Sequence, residues 1–172
     1  DQKYKTFDKI IMATHPDQIL NLIKDLDKET TEILSKFKYQ KNTVFLHSDP
    51  SAMPKNTKTW SSWNYISNKN GKSSTTYWMN RLQDLKTTLN VFVSLNPFKT
   101  PNKSQIYKKI IYEHPIFNNS TNEAQNKMNE IQGKNNIFYT GAWLGYGFHE
   151  DGISSAIKVT KYFDIKVPWE LK

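Results

Sequence analysis

The sequence predicts an α+β fold, a mixed or antiparallel sheet flanked by helices. Three observations predict it. A short apolar run near the start passes directly into helical spacing; four β-rich segments come next within about 55 residues; and a late strand ends in a glycine-rich turn that feeds a helix.

Tyr4 to Thr14 reads as a strand, because Phe7, Ile10, Ile11 and Met12 form the kind of apolar run found where both faces are covered. Thr14 is placed to cap a first helix, with Pro16 in the first turn and Ile19, Leu20, Leu22 and Ile23 at helical spacing. A second helix is predicted over Lys28 to Lys36, burying Ile33, Leu34 and Phe37. From Tyr39 the period changes to that of strands. Val44 to Leu46, Trp60 to Ile66, Ser74 to Met79 and Val91 to Leu95 are β-branched or aromatic and bounded by Asn, Gly, Pro or Lys. Asn70-Gly71 between the second and third is a hairpin signal, so those two should pair. An extended stretch from Ile106 to His114 precedes a polar helix from Thr121 to Ile131, and Asn136 to Tyr139 forms the last strand. Four of the 6 glycines then fall between Thr140 and Gly152, before helical spacing from Ile153 to Phe163. Glycines so concentrated supply positive φ or leave room for a close approach.

Composition narrows the function classes. The 172 residues hold 37% hydrophobic and 13% aromatic residues, enough to bury a core. The absence of Cys removes disulfide scaffolds, thiolate zinc sites and cysteine nucleophiles, and is compatible with a reducing compartment. The net charge of +8 raises a second reading, a non-enzymatic basic module for nucleic acid or an anionic membrane surface. Against it, Arg81 is the sole Arg among 24 basic residues, and phosphate recognition favours the Arg fork. Lys together with 17 Asn is what an AT-rich genome writes onto any solvated surface. Neither a His-Glu-x-x-His motif nor a Gly-x-Ser-x-Gly elbow is present, so no metal and no serine-hydrolase chemistry is expected. No apolar run approaches the roughly 20 residues that span a bilayer. The chain opens on Asp1-Gln2-Lys3-Tyr4 without an apolar leader, which suggests part of a longer protein.

The strand, glycine turn and helix at 137–163 present free amides at a helix start, suited to an anion or polarised oxygen or equally to a plain tight turn. Gly141, Gly145, Gly147 and Gly152 match neither a P-loop nor Gly-x-Gly-x-x-Gly. Phe138-Tyr139-Thr140-Gly141-Ala142, with Gly147-Phe148-His149-Glu150-Asp151-Gly152-Ile153-Ser154-Ser155-Ala156, resembles the closing motif of the FAD-dependent amine oxidase superfamily. Ile10 to His15, Trp63-Asn64-Tyr65, Tyr77 to Gln83 and Tyr112-Glu113-His114-Pro115 extend the resemblance over nearly the whole chain. It is similar to a bacterial branch of NAD/FAD-binding, amine-oxidase-like proteins found alongside lipid-modifying enzymes.

The resemblance implies the C-terminal portion of such a flavoprotein. Residues 1–37 would be the return strand and helices of an incomplete Rossmann-like FAD domain, 38–133 the substrate-binding sheet domain, and 134–172 the FAD-contacting strand, turn and helix. The dinucleotide motif that holds the pyrophosphate is lacking, so the N-terminal half of the same polypeptide is the implied partner, and FAD binding by this chain alone would be weak or absent. The implied cofactor contacts are Ala13, Thr14, Gly141, Ala142, His149, Glu150, Asp151 and Gly152, with Ala142 standing where many relatives carry an acidic residue. His149 is the candidate proton carrier implied near the flavin, since histidine is the side chain suited to moving a proton near neutral pH. Asp151 and Glu150 would favour a helix start in any case.

Trp63, Tyr65, Tyr77, Asn80 and Arg81 are the implied substrate-lining residues. Alternation puts Trp63 and Tyr65 on one face, which in this superfamily roofs the flavin; Trp60 and Trp78 read as sheet core. Arg81 fits a carboxylate, a phosphate or an internal salt bridge equally well. His114 sits in a polar patch whose default reading is structural. The implied activity is hydride or electron transfer from an organic substrate to flavin. The uninterrupted apolar strands favour a lipid-derived substrate over an amine, in a cytoplasmic protein with peripheral membrane contact left open.

Overall fold

The structure, a computed structural model, describes residues 4–170. In chain order the elements are β1 (Ile10–Met12), α1 (Pro16–Leu22), α2 (Lys28–Leu34), β2 (Lys38–His47), β3 (Trp63–Ser67), β4 (Ser73–Trp78), α3 (Met79–Leu82), β5 (Phe92–Leu95), β6 (Ile106–Ile116), α4 (Asn119–Ile131), β7 (Ile137–Tyr139) and α5 (His149–Thr160). The fold is α+β, as the sequence predicts. The chain forms two compact units: one from the residues up to Tyr39 together with those from Pro115 onward, the other from Gln40–His114.

In the first unit β1 and β7 pair in parallel, Ile10 opposite Ile137 and Met12 opposite Tyr139, so the first and last strands meet, as the assignment of both to one FAD domain by the resemblance implies. The helix after β1 is not capped by Thr14, as expected, but begins one residue later. His15 takes the extended cap conformation and its amide donates to the Gln18 side chain at 3.3 Å. Asp27 caps α2 by accepting from the Thr30 amide at 3.0 Å and the Thr30 hydroxyl at 2.7 Å. Those bonds, with the Lys134 ammonium at 2.9 Å, hold the Asp27 carboxyl well below the usual range. Asn118 starts α4 by accepting from the Thr121 amide, two residues earlier than the spacing of apolar residues indicates. Ile19, Ile33, Leu34 and Phe37 pack with Ala124, Met128 and Ile131 of α4 and with Tyr139 and Trp143. Each large apolar side chain so buried is worth about 1.5–3 kcal/mol.

The second unit is a five-stranded sheet in the order β3-β4-β5-β2-β6. The Asn-Gly hairpin forms as predicted: Trp63 lies opposite Tyr77, the Asn68 amide bonds the Lys72 carbonyl, and Gly71 takes φ +73°. The strand expected from Trp60 starts instead at Trp63, because residues Thr57–Thr59 form a 3-10 turn under the Asn56 cap. One sheet face is buried. It carries Asn64, Thr76, Trp78, Phe92, Ser94, Phe45 and His47, with Trp60 edge-on to Trp78 and Phe92 at 5.3 and 5.7 Å.

Candidate functional site

Two constellations carry chemistry, one in each unit. In the first, β7 ends at Thr140 and the chain turns through Gly141. The Ser155 hydroxyl donates to the Gly152 carbonyl at 2.7 Å and accepts from Thr140 Oγ1 at 2.7 Å and the Gly141 amide at 2.9 Å, tying the strand end to α5. Gly141 has φ +154°, and a Cβ there would run into the Trp143 indole; at Gly145 a Cβ would run into the Asp151 carboxylate. Both glycines are thus required by packing inside the turn itself. Trp143 Nε1 donates to the Thr14 carbonyl at 3.2 Å, joining the loops that leave β1 and β7, with Ala13 exposed and Ala142 half-buried beside them.

Asp151 reaches back from the first turn of α5 and accepts from the amides of Tyr146 and Phe148 at 3.0 and 2.9 Å. It is a positioning group for the turn. Gly152 donates its amide to the Phe148 carbonyl at 3.2 Å, so the amides left without an intrahelical acceptor are those of His149, Glu150 and Asp151. Phe148 offers no side-chain acceptor as the cap residue, and the His149 and Glu150 side chains are exposed. The turn therefore presents the positive end of a twelve-residue helix. Ala142 lies against Gly152 in this first turn, and free amides at a helix start suit an anion or a polarised oxygen.

A groove of about 680 Å³ runs along α4 and α5, lined among others by Met128, Gln132, Leu144, Ser155, Lys158 and Tyr162. It does not include Ala13, Thr14 or Ala142.

In the second unit the strand register gathers Trp63, Tyr77, Val93 and Leu46 in one row and Tyr65, Thr75, Leu95 and Val44 in the next, all on the face opposite Asn64 and Thr76. Trp63 and Tyr65 are 60% and 63% exposed. The implied substrate residues Trp63, Tyr65 and Tyr77 are thus brought together. Leu46, Val93 and Leu95 complete this apolar face and were not singled out in the sequence, although alternation along β2 and β5 carries the signal. Asn80 and Arg81 lie in α3 and bond the backbone: Asn80 accepts from the Val91 amide at 2.7 Å and donates to the Leu89 carbonyl at 2.7 Å, and Arg81 donates to the Trp60 carbonyl at 3.1 Å.

The opposite face holds a polar chain that sequence reading missed. The Asp49 amide donates to His47 Nδ1 at 3.1 Å, so Nε2 carries the ring proton and donates to Ser94 Oγ at 2.8 Å. Ser94 Oγ in turn shares a hydrogen bond with Thr76 Oγ1 at 2.7 Å. With its proton on that nitrogen His47 cannot act as a base toward Ser94, and burial pushes its pKa down. The pair is structural. His114 likewise bonds Asn42 Nδ2 at 2.8 Å. Among the described residues no group of three or more His, Cys, Asp or Glu is placed to hold a metal, and no helix is long and apolar enough to cross a membrane.

No protein-family model matches the sequence, and no curated protein matches it. Among solved structures, the chain is similar to a CLA-producing fatty acid isomerase from P. acnes, with a TM-score of 0.56 at 13% identity. The likeness covers 92% of this chain and 42% of that one, so this chain spans less than half the length of the protein it matches. At that identity the likeness establishes a shared fold.

Proposed function

We propose that this chain is the substrate-sheet and C-terminal part of an FAD-dependent oxidoreductase that acts on an apolar, lipid-derived substrate. The observation that carries the reading is the apolar face of Trp63, Tyr65, Tyr77, Leu46, Val93 and Leu95. An aromatic sheet face left open in a well-packed unit suits an aliphatic chain and not a small polar amine. Two further observations support it: the fold shared with a fatty acid isomerase, and the helix-start amides of His149, Glu150 and Asp151 beside Gly141 and Ala142. Bound FAD would supply a hydride acceptor. The α5 amides would stabilise negative charge on a cofactor oxygen, and the aromatic face would bind the substrate chain and exclude water. His149, exposed at the helix start, would hold or release a proton. A dinucleotide-binding half of the same polypeptide completes the proposal. Its anchor would be β1, a parallel strand whose Ile10 and Ile11 are 44% and 51% exposed, although parallel sheets bury both faces. A cytoplasmic, membrane-peripheral location goes with this reading.

The test is anaerobic mixing of the full-length flavoprotein with unsaturated fatty acids or with polyamines, followed at the flavin absorbance band. Bleaching by the fatty acids, slowed about tenfold or more in W63A, is expected. Bleaching by polyamines with none by fatty acids would overturn the substrate class, and a full-length protein without flavin would overturn the cofactor.

A further inference from the structure

Thr14 Oγ1, Asp17 Oδ1 and Tyr39 OH are buried without a hydrogen-bond partner, and among the described residues they are the three side-chain oxygens or nitrogens in that state. All three belong to one neighbourhood of the first unit. Thr14 and Asp17 flank His15-Pro16 at the exit from β1 into α1, and the Tyr39 ring stacks face to face on His15, centroids 4.5 Å apart and planes within 15°. Burial first, and then the Asp17 charge, push the Tyr39 hydroxyl to hold its proton more tightly, which places that carboxylate within electrostatic reach of the phenol. A buried oxygen without a partner carries an unreturned desolvation cost, and native structures accept it where an ion, a water or a ligand supplies the missing contact.

The chemistry of the three atoms selects among those. Every one is an oxygen, and the carboxylate among them accepts but cannot donate. The ion pairs of the described residues involve Asp27, Glu29, Glu32, Asp84 and Glu113, so among the described residues no Lys or Arg is paired with Asp17. One carboxylate with two neutral hydroxyls carries a single negative charge, which one monovalent cation balances. The turn is also held in place before any ligand arrives. Pro16 is buried in the first turn of α1, Asn21 Nδ2 donates to the Asp17 carbonyl at 2.9 Å, and Trp143 takes the Thr14 carbonyl. We propose that Thr14, Asp17 and Tyr39 form a binding site for a small monovalent cation of the potassium, sodium or ammonium class. The site lies within the first unit and does not depend on the flavoenzyme reading.

Thermal unfolding of the chain in potassium, sodium or ammonium chloride, against choline chloride at equal ionic strength, tests it. At ten times the dissociation constant, one or more of the small cations is expected to raise Tm by about 3–6 °C. The rise should vanish in D17N, shrink in Y39F and persist in E130Q, which removes an exposed carboxylate of α4. Sodium-23 NMR of the unsubstituted chain should show line broadening that added potassium reverses, and this readout stands even where D17N does not fold. Equal melting in all four salts without broadening, the behaviour of an ordinary buried water, would overturn the proposal. So would a D17N protein that keeps the full cation response.

Discussion

In the Gln40–His114 unit, buried polar groups are passed from one partner to the next. His47 is fully buried, yet both ring nitrogens are engaged, and Ser94 and Thr76 extend the chain across β5 and β4. In the other unit the loop between β1 and α1, with Tyr39, leaves three buried oxygens unserved, and β1 leaves Ile10 and Ile11 open to solvent. Both units expose apolar surface, but differently. An antiparallel sheet with one covered face is a stable arrangement that spares its other face for a ligand, whereas a two-stranded parallel ladder is marginal until both faces are covered. The contrast is between an open apolar face on a five-stranded sheet and one on a two-stranded ladder.

The sharpest way to break this comparison is to cut the polar chain of the second unit. Ser94→Ala removes the acceptor of His47 Nε2 and the hydrogen-bond partner of the Thr76 hydroxyl in one step, so a loss of about 1–3 kcal/mol in urea unfolding is expected. Thr14→Ala, measured in choline buffer, removes a hydroxyl that bonds to nothing and should stay within about 0.5 kcal/mol of the parent. Equal costs for the two would erase the distinction.

A smaller effect should appear with pH. Burial lowers the folded-state pKa of His47 below its unfolded value near 6.5, so between the two the unfolded chain binds the additional proton. Stability from this group is complete above about pH 6.5 and is lost as pH falls through the folded value. Protonation at Nδ1 would also set a donor against the Asp49 amide. Urea midpoints at stepped pH should fall below about 6.5 in the parent, and His47→Gln should flatten that slope. An unchanged slope would assign it to other groups.

The smallest effect concerns β1. Ile11→Lys places a charge on a half-exposed strand position and should change the stability of this 172-residue chain by no more than about 0.5 kcal/mol. A loss of several times that would show the β1 face to be packed.

The hairpin at Asn70-Gly71 and the helix over 28–34 were legible in the sequence, because each rests on local spacing or on turn chemistry that few residues satisfy, whereas the pairing of first and last strands followed only from the family resemblance. The gathering of Trp63, Tyr65 and Tyr77 was half legible: alternation puts them on a face, but the register that adds Leu46, Val93 and Leu95 depends on which strands become neighbours. The glycine cluster announced itself without its cause. Gly145 is needed because Asp151, six residues later, folds back into that space, and Gly141 because Trp143 does. Arg81, alone of its kind in the sequence, ends on the carbonyl of Trp60, a partner no spacing indicates. Periodicity and turn chemistry act over a few residues and can be read in one dimension. The partners of His47, Asn80 and Arg81, and the oxygens of Thr14, Asp17 and Tyr39 left without one, were decided by the tertiary structure, because hydrogen bonding and desolvation depend on what each group meets across the fold.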